Sequence, residues 1–157
     1  MKFTEGYWEK SERANASHAM QAFIVEEIPN GMRVIAPFHK ITDRAGALDV
    51  GTITTEFTAT RKDIISVRSW HFEGYKKKEP RFQLNTDVQD VTVEINEKEA
   101  VMTVGRMQVL IDREEFRITY MADGKELTTC GFRNLGYMQY DRECLTKFPQ
   151  ENYMAAK

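Results

Sequence analysis

Short stretches that alternate apolar and polar residues, each cut off by a turn-forming group, run through most of this 157-residue chain. Successive side chains of a strand point to opposite faces, so alternation of period two is the mark of a half-buried strand. The clearest case is residues 116–121 (FRITYM), followed by Ala122-Asp123-Gly124-Lys125 and a return along Glu126-Leu127-Thr128-Thr129-Cys130. Asp-Gly between two alternating stretches is a strong hairpin signal, because both residues tolerate positive φ.

The same grammar extends in both directions. Residues 20–28 (MQAFIVEEI) end at Pro29-Asn30-Gly31, and residues 32–36 (MRVIA) follow at once. Proline presets φ and Asn or Gly supplies a positive φ, so this predicts a second hairpin. Residues 52–60 (TITTEFTAT) are Thr-rich, as suits a half-wet pleated surface. Residues 63–72, with Ile64, Ile65, Val67, Trp70 and Phe72, are expected to form a buried strand. Residues 88–95 space Val88, Val91, Val93 and Ile95 as a strand does, and Asn96-Glu97-Lys98 turns into Ala100-Val101-Met102-Thr103-Val104. Gly105 interrupts before Met107-Gln108-Val109-Leu110-Ile111 and suggests a bulge or bend. A short amphipathic helix within residues 9–19 is the one helical pattern, and residues 37–50, 73–87 and 134–152 read as irregular. Eight to ten short strands joined by turns predict an all-β fold, an antiparallel β-sandwich with little helix.

Composition narrows the function classes. Hydrophobic content of 41% and charged content of 29% suit one globular domain, residues 1–157. Net charge is -2, and the one basic run, Lys76-Lys77-Lys78, is flanked by Glu73 and Glu79. Nucleic-acid binding needs a positive field to displace counterions, so no nucleic acid is expected as partner. No apolar stretch is long enough to span a bilayer, and Glu5, Glu9 and Glu12 break any signal-peptide pattern. Cys130 and Cys144 are too few for a disulfide scaffold, and a cytoplasmic protein with free thiols is the simplest expectation.

Several motifs resemble one family in order. Met1-Lys2-Phe3-Thr4-Glu5-Gly6-Tyr7-Trp8 resembles the start of bacterial α-xylosidases of glycoside hydrolase family 31, where a similar octet opens a β-rich domain before the catalytic barrel. Val67-Arg68-Ser69-Trp70-His71-Phe72-Glu73-Gly74 is similar to the family's Val-Arg-x-x-His-Phe-x-Gly strand, and Leu84-Asn85 with Val91-Thr92-Val93 to the strand that follows. Asn134-Leu135-Gly136-Tyr137-Met138-Gln139 resembles an Asn-Asn-Gly-Tyr-Val-Gln step, and Gln150-Glu151-Asn152-Tyr153-Met154 the last stretch of that domain. The resemblance implies a sandwich of the galactose-mutarotase type, a supersandwich. It implies a non-catalytic front piece of a larger retaining α-glycosidase, docked on a barrel that this chain lacks. A (β/α)8 barrel needs about 250 residues, more than this chain has.

The residues themselves point the same way. Retaining glycosidases need two carboxyl groups about 5 Å apart, one ionised and one protonated. In the family both are barrel aspartates, and the Lys-x-Asp-Phe-Gly-like strand end that carries the nucleophile does not occur here. Asp43, Asp49, Asp63, Asp87, Asp90, Asp112, Asp123 and Asp141 fall mostly in turns, where carboxylates solvate and bond backbone. His18, His39 and His71 lack metal-ligand spacing, and a thiol nucleophile would need a histidine beside it. His71 reads as a half-buried histidine bonded to neighbouring backbone. No catalytic, cofactor or metal residue is therefore expected in this chain. Tyr7, Trp8, Trp70, Tyr75, Tyr137 and Tyr140 are the candidate sugar platforms, with core packing the plainer reading. Residues 37–50 and 73–87 are the candidate loops for walling a substrate pocket or building a subunit interface. Such a domain, alone, is expected to expose an apolar patch made for the barrel and so to self-associate as a homo-oligomer. The rival reading is a stand-alone carbohydrate-binding β-sandwich.

Overall fold

The computed structural model describes residues 14–72, 82, 90–131 and 133–140. The octet at Met1–Trp8, the motif at Gln150–Met154, Lys76–Lys78, Leu84-Asn85, Val88 and Cys144 lie outside these residues, as does nearly all of loop 73–87.

Eleven strands are present among the described residues: β1 (Ala14–His18), β2 (Ile24–Ile28), β3 (Gly31–Pro37), β4 (Thr52–Arg61), β5 (Ile64–Trp70), β6 (Val91–Ile95), β7 (Glu99–Val104), β8 (Met107–Asp112), β9 (Arg117–Ala122), β10 (Lys125–Cys130) and β11 (Gly136–Tyr140). The helical content there is one 3-10 turn at Ala45–Ala47. Strands β2-β3-β4-β5 form one antiparallel sheet and β10-β9-β8-β7-β6 a second, while β1 pairs with β11.

The two larger sheets pack face to face because each has one apolar face. Met32, Val34 and Ala36 of β3 sit opposite Phe57, Thr55 and Ile53 of β4 on the inner face. The second sheet answers with Ala100, Met102 and Val104 of β7, Val109 and Ile111 of β8 and Ile118 of β9. All the apolar members are buried in one cluster, with Phe57 and Phe116 the largest. Burying a Phe of this kind stabilises by about 1.5–3 kcal/mol. Thr55 is the buried polar residue of the set, and it is satisfied through its Oγ1, 2.9 Å from Ser69 Oγ.

Turn chemistry sets the register. Asp123 (φ 51) and Gly124 (φ 73) form the β9–β10 turn between Ala122 and Lys125, the paired-positive geometry that Asp-Gly favours. In the β2–β3 turn the positive φ falls on Asn30 (φ 61), not on Gly31. Gly31 is needed for space, since a Cβ there would collide with the Phe57 carbonyl. Asn96 Oδ1 accepts from the amides of Lys98 (2.9 Å) and Glu99 (2.8 Å), which closes the β6–β7 turn. Asp112 Oδ1 accepts from Glu114 and Glu115 in the same way before β9.

Five sequence expectations need correction. Gly105 makes neither bulge nor bend; with φ 57 it opens a tight β7–β8 turn, and Val104 pairs directly with Met107. The stretch 63–72 is not buried: β5 is a sheet edge, with Ile64 50% and Val67 43% exposed. Its apolar content reflects an edge of the sandwich rather than its centre. Residues 14–18 are a strand, not helix, because β11 offers them a partner; residues 9–13 lie outside the described set. Residues 136–140, read as irregular, are that partner. Strand β2 starts only at Ile24, since residues 20–23 bond elsewhere: the amide of Met20 reaches the Pro37 carbonyl and that of Ala22 the Arg113 carbonyl.

Two charged corners close the sandwich. Arg113 donates to the carbonyls of Ala22 (3.4 Å), Phe23 (3.2 Å) and Asn96 (2.6 Å), which joins the two sheets at one end. At the other end, Asp63 in the β4–β5 turn accepts from the Arg106 amide (2.7 Å) and side chain (3.4 Å), and Arg106 also reaches Asp123 (3.2 Å). The Arg106 amide, then its guanidinium, holds the Asp63 carboxyl below its ordinary value.

Gly31→Ala is expected to destabilise the chain by about 3 kcal/mol in urea unfolding, because the contacted atoms are backbone. The depressed Asp63 pKa stabilises the fold above the unfolded-state value of a carboxyl, and that contribution fades as pH falls through the folded-state value. Asp63→Asn should therefore lower stability at neutral pH and flatten the acid limb of the stability curve, read from thermal midpoints across that range.

Candidate functional site

The end of the sandwich that holds the start of β4 and the finish of β3 and β5 gathers the family-like residues. Pro37 of β3 and Thr52 of β4 are paired there, and the loop between them folds back so that the Phe38 amide donates to the Gly51 carbonyl at 3.0 Å. Within this loop Asp43 Oδ1 accepts from the Gly46 amide (2.8 Å), and His39 Nε2 lies 2.9 Å from the Gly46 carbonyl. Asp43 and His39 thus build the loop, as turn residues do.

His71 follows β5 and points into this end. Its Nδ1 lies 2.9 Å from the Thr52 carbonyl, so this nitrogen carries the proton and donates. The ring stands 4.2 Å from Tyr137 and 5.3 Å from Phe38, both tilted, while Phe38 and Tyr137 lie nearly parallel at 6.5 Å. Gly51 leaves room for this group: a Cβ there would approach the Phe38 ring to 2.7 Å and His71 Cε1 to 3.4 Å. A half-buried histidine bonded to neighbouring backbone, as expected, is what the structure shows.

The step Asn134–Gln139 is explained by the same packing. Asn134 Nδ2 donates to the carbonyls of Phe116 (3.0 Å) and Cys130 (3.2 Å). The Leu135 carbonyl accepts from the Ala19 amide at 3.0 Å. Gly136 faces His18 across the β1–β11 pair, where a Cβ would lie 2.7 Å from Nδ1. Tyr137 closes on His71. The first four positions of the motif, Asn134 to Tyr137, thus each hold a structural contact, while Met138 and Gln139 are exposed. The sequence pattern marked these residues, but it held no signal that Phe38 and Gly51 complete the cluster, since both come from the loop before β4.

Of the candidate sugar platforms, Trp70 and Tyr137 are described. Tyr137 has its ring committed to His71. Trp70 carries the Arg68 guanidinium over one face, 4.9 Å from the ring centre, which takes a face a sugar would need. The structure does not bring them together as one platform: Trp70 pairs with Thr54 on the outer sheet face, and Tyr137 belongs to β11. Tyr7, Trp8 and Tyr75 lie outside the described residues, as does the side chain of Tyr140.

Four of the eight candidate aspartates are likewise occupied by structure. Asp43, Asp63, Asp112 and Asp123 all bond turn backbone or Arg106. Asp49 takes φ 56 in a loop, and Asp87 and Asp141 are outside the described residues. A glycosidic general acid needs a pKa raised towards neutrality, and Asp63 is displaced the opposite way. Among the described residues no cluster of three or more His, Cys, Asp or Glu could hold a metal ion. Among the same residues no helix is long and apolar enough to cross a membrane. Cys130 is a free thiol beside Tyr120 on the inner face, and burial pushes the Tyr120 phenol up to about 12.

The remaining feature of this end is apolar exposure. Phe72, directly after His71, is 82% exposed, and Leu48, three residues before Gly51, is 72% exposed. Both belong to segments that the His71 cluster anchors.

No family model matches the sequence. Over 129 residues the chain is 27% identical to the α-xylosidase XylQ of Lactiplantibacillus pentosus, covering 82% of this chain and 17% of that enzyme. Its fold superposes on part of an uncharacterized Listeria monocytogenes protein solved with glucose, magnesium and calcium, with TM-score 0.60, 14% identity and 80% of this chain covered. It superposes equally, at 12% identity, on a cycloalternan-forming enzyme of the same organism solved with a pentasaccharide substrate. The chain spans about 11% of either solved protein and under a fifth of the xylosidase. The chain is thus similar in sequence to a part of a larger α-xylosidase and in fold to a part of each larger Listeria protein.

His71→Phe should keep the ring packing and lose the bond to Thr52, costing about 1 kcal/mol in urea unfolding. His71→Ala should cost about 2 kcal/mol, because the contacts with Tyr137 and Phe38 go as well.

Proposed function

We propose that this chain is the non-catalytic N-terminal β-sandwich, residues 1–157, of a cytoplasmic retaining α-glycosidase of family 31, with α-xylosidase the best-supported activity for the whole protein. The domain docks on the catalytic barrel of the parent chain, and its 37–50 loop and the segment after β5 help wall the substrate pocket or a subunit interface. The observation that carries this reading is the exposure of Phe72 and Leu48, which lie in the two chain segments that flank the packed rings at one end of the sandwich. Large apolar side chains displayed on rigid supports mark an interface, since solvating them costs free energy that a docked partner returns. The likeness to α-xylosidase XylQ over 82% of this chain supports the choice of activity. The occupied carboxylates support the assignment of chemistry to another domain.

The chain alone should show no hydrolysis of aryl α-xylosides and no calorimetric binding of xylo- or gluco-oligosaccharides. Supplied to a family 31 α-xylosidase stripped of its own N-terminal sandwich, it should restore soluble, active enzyme, and Phe72→Ser with Leu48→Ser should abolish that rescue. Hydrolysis by the chain alone would refute the division of labour. Oligosaccharide binding by the chain without rescue would favour the carbohydrate-binding module instead.

A further inference from the structure

The outer face of the β2-β3-β4-β5 sheet carries an ordered pattern that neither the core nor the His71 end uses. Register aligns Glu26 with Arg33, Arg33 with Glu56, and Glu56 with Arg68 across the four strands. The row therefore reads negative, positive, negative, positive from β2 to β5. Arg33 bonds Glu26 at 2.9 Å and Glu56 at 2.8 Å, and Arg68 stacks over Trp70. The neighbouring row on the same face is Ile24, Ile35, Thr54 and Trp70. Ile24 is 43% exposed and Glu26 and Arg68 are exposed, whereas Arg33 is partly covered and the Glu56 side chain is 12% exposed, so the outer members Glu26 and Arg68 carry the contact.

An alternating row of four has a simple symmetry. Facing a copy of itself across a twofold axis perpendicular to the row and lying in the interface, it meets its own reverse. Glu26 then opposes Arg68 of the second copy and Arg33 opposes Glu56, so all four pairs are of opposite sign. The same operation sets Ile24 against Trp70 and Ile35 against Thr54. A twofold axis along the row does the reverse: it places each charge against its own twin. The pattern thus selects one of the two face-to-face arrangements.

We infer that this sheet face is a self-complementary interface for a second copy of the chain, closed by that one twofold axis. The inference rests on strand register and on the exposure and pairing of the row, and is independent of the glycosidase reading. Four strands of 5, 7, 10 and 7 residues, about 4.8 Å apart and rising about 3.3 Å per residue, present a footprint of roughly 19 by 23 Å at their mean length. That lies at the small end of specific interfaces, so the dimer is weak and salt-sensitive. Holding Arg33 between two carboxylates and Arg68 against Trp70 in the free chain reduces the ordering cost of association.

The test is sedimentation equilibrium of the full 157-residue chain and two variants, with near-UV circular dichroism confirming that each is folded. The wild type should dimerise at low ionic strength and dissociate in high salt. Arg68→Glu sets Glu26 against a new carboxylate twice per dimer, and Glu26→Arg sets two guanidinium groups together twice. Each variant alone should bind itself at least about tenfold more weakly. Mixed in equal amounts they should form a heterodimer, because every facing pair is then opposite in sign. The double variant Glu26→Arg/Arg68→Glu should dimerise as the wild type does. A wild type that stays monomeric overturns the proposal, and so do folded single variants that fail to pair when mixed.

Discussion

The fold depends on the burial of Phe57 and its flanking residues between two sheets. Phe57 lies in the middle of β4, and its inner-face neighbours Met32 and Val67 come from the strands on either side. The second sheet covers this stripe with Met102, Val104, Val109 and Ile111. A one-residue slip of either sheet would send these side chains to solvent and bring Glu56 or Gln108 inside. The cost of that exchange holds the register more firmly than any hydrogen bond in the ladders, because ladder bonds can be remade after a slip and core burial cannot.

Charge then acts where the apolar stripe runs out. Arg113 reaches three carbonyls that belong to segments of both sheets, and Arg106 ties three turns to one another through Asp63 and Asp123. These groups lie at opposite ends of the sandwich, and each satisfies backbone or carboxylate oxygens where regular pairing stops. Guanidinium suits the task because its planar fork carries several donors and stays protonated. Asp63 and Asp123 are thereby committed to holding turns together.

Much of the candidate end could be read from the chain. His71 was legible as a half-buried histidine on backbone, because it lies in register with Val67 and Ser69 at the close of an apolar strand. The Asn134–Gln139 step was legible as a landmark but not as a strand, since Asn134 and Gly136 break its local pattern and its partner β1 lies far away at the other end of the chain. The contributions of Phe38 and Gly51 were not legible, because both reach His71 through a loop whose path no local pattern encodes. The error over residues 63–72 has a related cause. Apolar content tells that a strand meets apolar surface, but not whether it sits at the centre or the edge of a sheet.

Local pattern was enough to set the strand count to within a few and the position of most turns. Those follow from local rules: side chains alternate along an extended backbone, and few residues accept positive φ. Tertiary structure alone decided the strand order, the exposure of β5, the pairing of β1 with β11 and the charge row on the outer face. Each of these is a relation between residues far apart in the chain. Such relations come from the free energy of packing whole sheets together, which no short stretch of sequence contains.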